Sequence, residues 1–160
     1  MSIERARAHL ATHGLEGRIV ETPTSSATVA LAAAALGTEP AHIAKSLTFL
    51  VEGEPVLVVA AGDARVDNRA FKDAFGVKAR MIPGDQVQAR VGHAPGGVCP
   101  FGVEPGVSVY LDESLRRFET VWPAVGNASS GIPLTLAELE RAASPRSWVR
   151  VTTVPDEGSA

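Results

Sequence analysis

Residues 45–61 constrain the fold of this chain more than any other segment. Lys45-Ser46-Leu47-Thr48-Phe49-Leu50-Val51 alternates apolar with polar positions, the period of a half-buried strand. Glu52-Gly53-Glu54 then gives a hairpin signal, and Pro55 to Ala61 returns as a strongly apolar run. Proline is tolerable there because it stands at the first position of the second strand. The chain therefore contains a β-hairpin, and Lys45 stands at its beginning.

The other elements are arranged around that hairpin. Ile3, Ala6 and Leu10 recur at helical spacing over residues 2–13, with Gly14 as a stop. A short strand is expected over residues 18–21, then a linker over 22–26, then a helix capped by Thr28 and closed at Leu36 by Gly37. After Pro40, residues 41–44 add one more turn. Asp67 to Phe75 reads as a helix ended by Gly76, a short strand follows over 77–81, and Pro83 opens a helix reaching Val91 before Gly92. Strands are expected over 107–111, 118–124 and 148–153, and Thr135 with Glu138 forms a capping box for a helix through Ala142. Strands mixed irregularly with helices, and no internal repeat, indicate a mixed α/β (α+β) domain.

A chain of 160 residues suits one compact domain. We place it over residues 1–154, with 155–160 expected to fray. Its single cysteine, Cys99, excludes an intramolecular disulfide and a cysteine-built zinc site, and a reducing cytoplasm fits best. The most apolar stretch, residues 28–36, is too short to span a bilayer, and Glu4, Arg5 and Arg7 interrupt any signal sequence. The formal charge of −3 argues against a surface given over to nucleic acid, and no DNA partner is expected. Between residues 63 and 90, Arg65, Arg69, Lys72, Lys78, Arg80 and Arg90 mix with Asp63, Asp67, Asp73 and Asp85, which reads as a solvated face or a local basic patch.

Three segments could carry chemistry. Lys45, embedded in Ile43-Ala44-Lys45-Ser46-Leu47, must either extend to water or face a site that wants positive charge. Gly96-Gly97-Val98-Cys99-Pro100-Phe101-Gly102 can bring several amides close to a carbonyl or phosphate, or can be a structural turn. It lacks the spacing of a phosphate-binding P-loop. Pro123-Ala124-Val125-Gly126-Asn127-Ala128 is a loop of small residues after an apolar strand. His9, His13, His42 and His93 show no metal-binding repeat. Cys99 is a nucleophile or an inert packed thiol.

Taken in order, Ile43-Ala44-Lys45-Ser46-Leu47-x-Phe49, then Gly92 with Gly-Gly-x-x-Pro-Phe-Gly over 96–102, then Ala124-x-Gly126-Asn127 ahead of a capped helix resemble the YbaK family. That family of aminoacyl-tRNA deacylases is related to the editing insertion of bacterial prolyl-tRNA synthetases, and the resemblance spans residues 22–142. It implies a central, largely antiparallel, barrel-like sheet surrounded by helices. It also implies hydrolysis of the ester joining a wrong amino acid to a tRNA 3′ end, with no metal or other cofactor. The expected partners are a mischarged aminoacyl-tRNA and an aminoacyl-tRNA synthetase. In such proteins the lysine matching Lys45 is tied most closely to activity, and Gly96, Gly97, Cys99, Pro100, Phe101 and Gly102, with Gly126 and Asn127, are expected to bind substrate. Cys99 stands where the family often has serine, and Asn127 lies in a segment that varies with substrate choice.

The chemistry suits these parts. An aminoacyl ester is already activated, so a protein need only position it, stabilise the oxyanion and admit water. Lys45 would act as a fixed positive charge and amides of the glycine loop would donate to the carbonyl oxygen. Selection by pocket size favours alanine, serine or cysteine, since one methylene is worth only about 1–3 kcal/mol. Asp112 would either bind a substrate ammonium or cap the turn that follows it. A catalytically inactive module that binds tRNA or a synthetase is the alternative reading.

Overall fold

The computed structural model describes residues 2–23 and 28–155. Most of the expected 22–26 linker, and all of the expected tail beyond Pro155, lie outside the described residues. The helices are α1 (Ser2–Ala11), α2 (Val29–Leu36), α3 (Asn68–Phe75), α4 (Gly84–Val91) and α5 (Leu136–Ala143). The strands are β1 (Val20–Glu21), β2 (Ile43–Val51), β3 (Glu54–Ala61), β4 (Arg65–Val66), β5 (Ser108–Asp112), β6 (Thr120–Pro123), β7 (Ser130–Gly131), β8 (Leu134–Thr135), β9 (Ser147–Val149) and β10 (Thr152–Thr153).

The helix ends follow local chemistry. Thr28 accepts from the Leu31 amide at 3.1 Å, Asp67 from Ala70 at 3.0 Å, and the Thr135–Glu138 capping box closes in both directions. Gly37, Gly76 and Gly92 end their helices in the left-handed conformation, where a Cβ costs energy.

Six strands form one curled half-barrel sheet in the order β8-β6-β2-β3-β5-β9. The hairpin is its centre: β2 pairs antiparallel with β3 from Val51↔Glu54 to Ala44↔Ala61. Only Glu52 and Gly53 form the turn, both with positive φ (52° and 81°), as a tight hairpin of matching twist requires. β3 is buried from Pro55 to Ala61 because it lies between β2 and β5 and is covered on both faces, which is why it reads as an unbroken apolar run. The main core holds Leu57, Val59, Leu111 and Leu139. A second cluster on the opposite face holds Phe49, Val56, Val58 and Phe71, with the Phe49 and Phe71 rings 4.6 Å apart.

Several expectations are corrected. The α+β class stands, but the sheet is mixed: β6–β2, β3–β5 and β5–β9 pair in parallel. Residues 77–81 form no strand. Only Met81 bridges Phe49, because Gly76 has just ended α3 and Pro83 breaks the ladder two residues later. The final strand is split into β9, beside β5, and β10, beside β4. The cause is Asp112, whose buried carboxylate accepts from the Val151 amide at 2.9 Å and the Thr152 hydroxyl at 2.7 Å, pulling the chain out of the sheet between the two strands.

Candidate functional site

A cleft of about 370 Å³ opens where β2 lacks a complete neighbour. On the side away from β3, β6 pairs only with Ile43 and Ala44. Further along, residues 80–82 take over: Leu50 N–H donates to Arg80 O at 2.8 Å and Thr48 O accepts from Ile82 N–H at 3.1 Å. Between these two covers the edge of β2 is open, and the cleft lies there, lined by Lys45, Ser46, Thr48, Ile82, Gly96 and Asn127, with Trp122 and Ala124 from the end of β6.

Lys45 stands opposite Ala60, and its Nζ donates to Gly62 O at 3.2 Å and to Ala64 O. Those carbonyls belong to the bend that follows β3. A Cβ on Gly62 would stand 2.0 Å from Pro40 O, so the bend can approach the start of β2 this closely only with glycine. Burial pushes the Lys45 ammonium below its ordinary pKa; the charges of Asp63 and Asp112 oppose that shift, while Arg65 adds to it. Asp63 is itself held by Arg117, at 3.1 and 2.6 Å, which keeps its carboxyl below the usual range. The lysine is thus oriented by neutral carbonyls in a field of mixed sign.

The glycine loop divides. Gly96 reaches the cleft at φ 91°, followed by Val98. Gly97 forms the wall behind, where an added Cβ would be 2.5 Å from Gly126 O; its amide is used by Ala94 O at 3.0 Å. Gly126, at φ 84°, holds the other side of this contact. Asn127 lines the cleft while its Oδ1 accepts from the Ser129 amide at 2.9 Å.

Cys99, Pro100, Phe101 and Gly102, expected to bind substrate, are not brought to the cleft. The chain turns inward after Val98 to fill core space against α1. Cys99 is fully buried, its thiol pushed up to about 12 by burial, and Sγ lies 3.5 Å from His93 Nε2. Pro100 and Phe101 are also buried. Gly102 presses on the Arg5 backbone and donates its amide to His9 Nδ1 at 3.1 Å. Its amide, like that of Gly97, is therefore already used. Asp112 acts as a cap: besides Val151 and Thr152, it accepts from Ser114 N–H at 3.0 Å.

The structure adds residues that sequence reading did not single out: Ser46, Thr48, Ile82, Val98 and Trp122. Ser46 and Thr48 share one face of β2 with Ala44, so strand alternation carried a signal. Trp122 carried none, since its place depends on β6 pairing with the start of β2. Ser46 Oγ is buried with no hydrogen-bond partner among the described residues. Among those residues, no three His, Cys, Asp or Glu side chains come together as a metal site needs, and no helix is long and apolar enough to cross a membrane.

Comparison with known proteins follows the same lines. The family model for the aminoacyl-tRNA editing domain matches residues 24–142. The uncharacterized protein YwhH of Bacillus subtilis (strain 168) is 46% identical over 152 residues, 94% of this chain and 97% of that protein. The proline–tRNA ligase of Lysinibacillus sphaericus (strain C3-41) is 30% identical over 98 residues, which cover 61% of this chain and only 17% of that enzyme. A crystal structure of a protein proposed to be a trans-editing enzyme for prolyl tRNA synthetase superposes with a TM-score of 0.85 at 31% identity, covering 95% of this chain and 97% of the other. The chain belongs to the aminoacyl-tRNA editing domain family.

Proposed function

We propose that the protein is a free-standing aminoacyl-tRNA deacylase that acts in trans on mischarged tRNA, with proline tRNA as the first candidate. The observation that carries this reading is the setting of Lys45: a half-buried ammonium held by the Gly62 and Ala64 carbonyls in the wall of a cleft of about 370 Å³. The ligase match is confined to 98 residues, and the protein of similar length and fold is proposed to edit in trans; both favour hydrolysis of an ester on a separate tRNA.

In this mechanism water adds to the ester carbonyl, the carbon–oxygen bond to the ribose breaks, and the proton released by the water ends on the departing 3′ hydroxyl. Free amino acid and uncharged tRNA result. Lys45 offsets the negative charge that grows on the carbonyl oxygen, worth roughly 3 kcal/mol for one well-placed donor. Gly96 and Asn127 shape the cleft, and Gly97 with Gly126 hold that wall in place. The candidate side chains are the small ones of alanine, serine and cysteine. The buried thiol suits a reducing cytoplasm.

The test is release of labelled amino acid from a panel of mischarged tRNAs by the wild type and by Lys45→Ala. Wild-type release that the variant loses supports the reading; equal release by both removes the role of Lys45. Binding of tRNA or a synthetase without turnover across the panel would favour a non-catalytic module instead.

A further inference from the structure

The hairpin register dictates where each peptide of β2 points. Val51 and Glu54 close a two-residue turn and form a hydrogen-bonded pair, so Phe49, Leu47 and Lys45 also exchange their backbone bonds with β3. The even-numbered residues face the other way, as the bonds of Leu50 and Thr48 to residues 80–82 show. Ser46 is the next in that series. The ladder with β6 stops at Ala44↔Pro123, and residues 80–82 reach back only to Thr48. The N–H and C=O of Ser46 therefore face the open cleft with no strand beside them, and Ser46 Oγ is buried there without a partner among the described residues. The hydroxyl costs stability, because a buried polar group without a partner loses its hydration for nothing, while the two backbone groups are left to water or a ligand in the cleft.

We propose that Ser46 is the aminoacyl recognition point: its peptide holds the substrate's α-ammonium and ester carbonyl, and its hydroxyl selects a small side chain bearing a γ-hydroxyl or thiol over alanine. This rests on the deacylase reading and names the substrate class of the same cleft. The aminoacyl group docks as a one-residue strand, its ammonium donating to Ser46 O and its carbonyl oxygen accepting from Ser46 N–H. Residues that exchange both bonds are about 5.5 Å apart at Cα, with their side chains on the same face. The substrate side chain then lies over the face shared with Thr48 and Ala44, on the side of the strand that carries Ser46 Oγ, and a small rotation of that hydroxyl would bring it to a γ-oxygen or sulfur. The antiparallel direction sends the ester toward Ala44 and the end of β6, where Trp122 and Ala124 line the cleft. Lys45, one residue away on the same strand, lines the same cleft.

The experiment uses the full-length protein, one tRNA charged with serine or with alanine, and the stable 3′-amide analogues of seryl- and alanyl-adenosine. Wild type should hydrolyse the seryl ester and bind the seryl amide at least tenfold better than the alanyl forms, roughly the effect of one buried hydrogen bond. Ser46→Ala should abolish that ratio in both measurements, and Ser46→Thr, which keeps the hydroxyl, should restore most of it. N-acetylation of the seryl analogue should weaken binding at least tenfold, because the acetyl group removes the ammonium facing Ser46 O. Thermal melting should show Ser46→Ala at least as stable as wild type, the reverse of a structural hydroxyl. An unchanged seryl-to-alanyl ratio in Ser46→Ala, or full binding of the acetylated analogue, overturns the proposal. Seryl preference in binding with no hydrolysis of any charged tRNA would sink the deacylase reading and leave the Ser46 assignment standing.

Discussion

Lys45 Nζ donates to Gly62 O at 3.2 Å, and Gly62 is the residue whose missing Cβ lets that bend press within reach of Pro40. The position of the cation and the packing of the bend are one feature. Gly62→Ala should therefore act on both. A Cβ at 2.0 Å from a backbone oxygen forces the bend outward, which should cost about 1–3 kcal/mol in urea unfolding and also lower the deacylation rate. Full activity in this variant would show that Lys45 does not need the bend to hold it.

Lys45→Ala, by contrast, removes a half-buried charge whose hydrogen bonds go to carbonyls that water can reach once the side chain is gone. Its melting temperature should stay close to that of the wild type, while single-turnover release of amino acid should fall by about 10²-fold or more. A parallel loss of stability and activity would point to a structural role.

Cys99 should be dispensable for chemistry. Its thiol is fully buried and pushed up to about 12, so thiolate is scarce at neutral pH. Cys99→Ser should retain deacylation within a few-fold, and the native protein should resist thiol reagents until it is unfolded. Loss of hydrolysis by a folded Cys99→Ser would reopen the thiol as a participant.

His93 predicts the acid side of the stability curve. It is fully buried, its Nε2 pairs with Phe101 O at 2.6 Å, and its Nδ1 is buried without a partner among the described residues. Burial holds its pKa below the ordinary 6.5, opposed by the Phe101 carbonyl, while the Arg5 charge acts in the same direction as burial. The unfolded chain thus binds the proton more readily than the fold does. The stabilisation is complete above the unfolded pKa and is lost progressively as pH falls below it toward the lowered folded value. Urea midpoints should drop between pH 7 and pH 5, and a folded His93→Gln variant should show a flatter profile across that window.

Asp112 ties β5 to the start of β10 through two accepted hydrogen bonds, from Val151 N–H and the Thr152 hydroxyl, and caps the turn after β5 through a third, from Ser114 N–H. Asp112→Ala leaves the Val151 and Ser114 amides without their acceptor and should cost about 3 kcal/mol or more. Circular dichroism during urea unfolding would measure it. A change under about 1 kcal/mol would mean that water replaces the carboxylate freely.

The sequence by itself determined the hairpin, though β2 starts at Ile43 and not at Lys45, the five helices, and the caps at Thr28, Thr135, Gly37, Gly76 and Gly92, because each rests on neighbours within a few residues: alternation from Lys45 to Val51, Thr135 with Glu138, and glycine after α2, α3 and α4. It also marked Lys45, Gly96 and Asn127, which the structure brings to one cleft. Tertiary structure alone decided that the sheet is mixed, that Asp112 splits the last strand, and that Cys99, Pro100, Phe101 and Gly102 turn into the core. These outcomes depend on partners distant in sequence, such as Phe101 against His9 and Asp112 against Val151. Ser46 shows the division most clearly. Its strand is legible from local alternation, but whether its outward peptide meets a neighbour depends on where β6 stops and where residues 80–82 begin. No local preference encodes a gap between two remote segments.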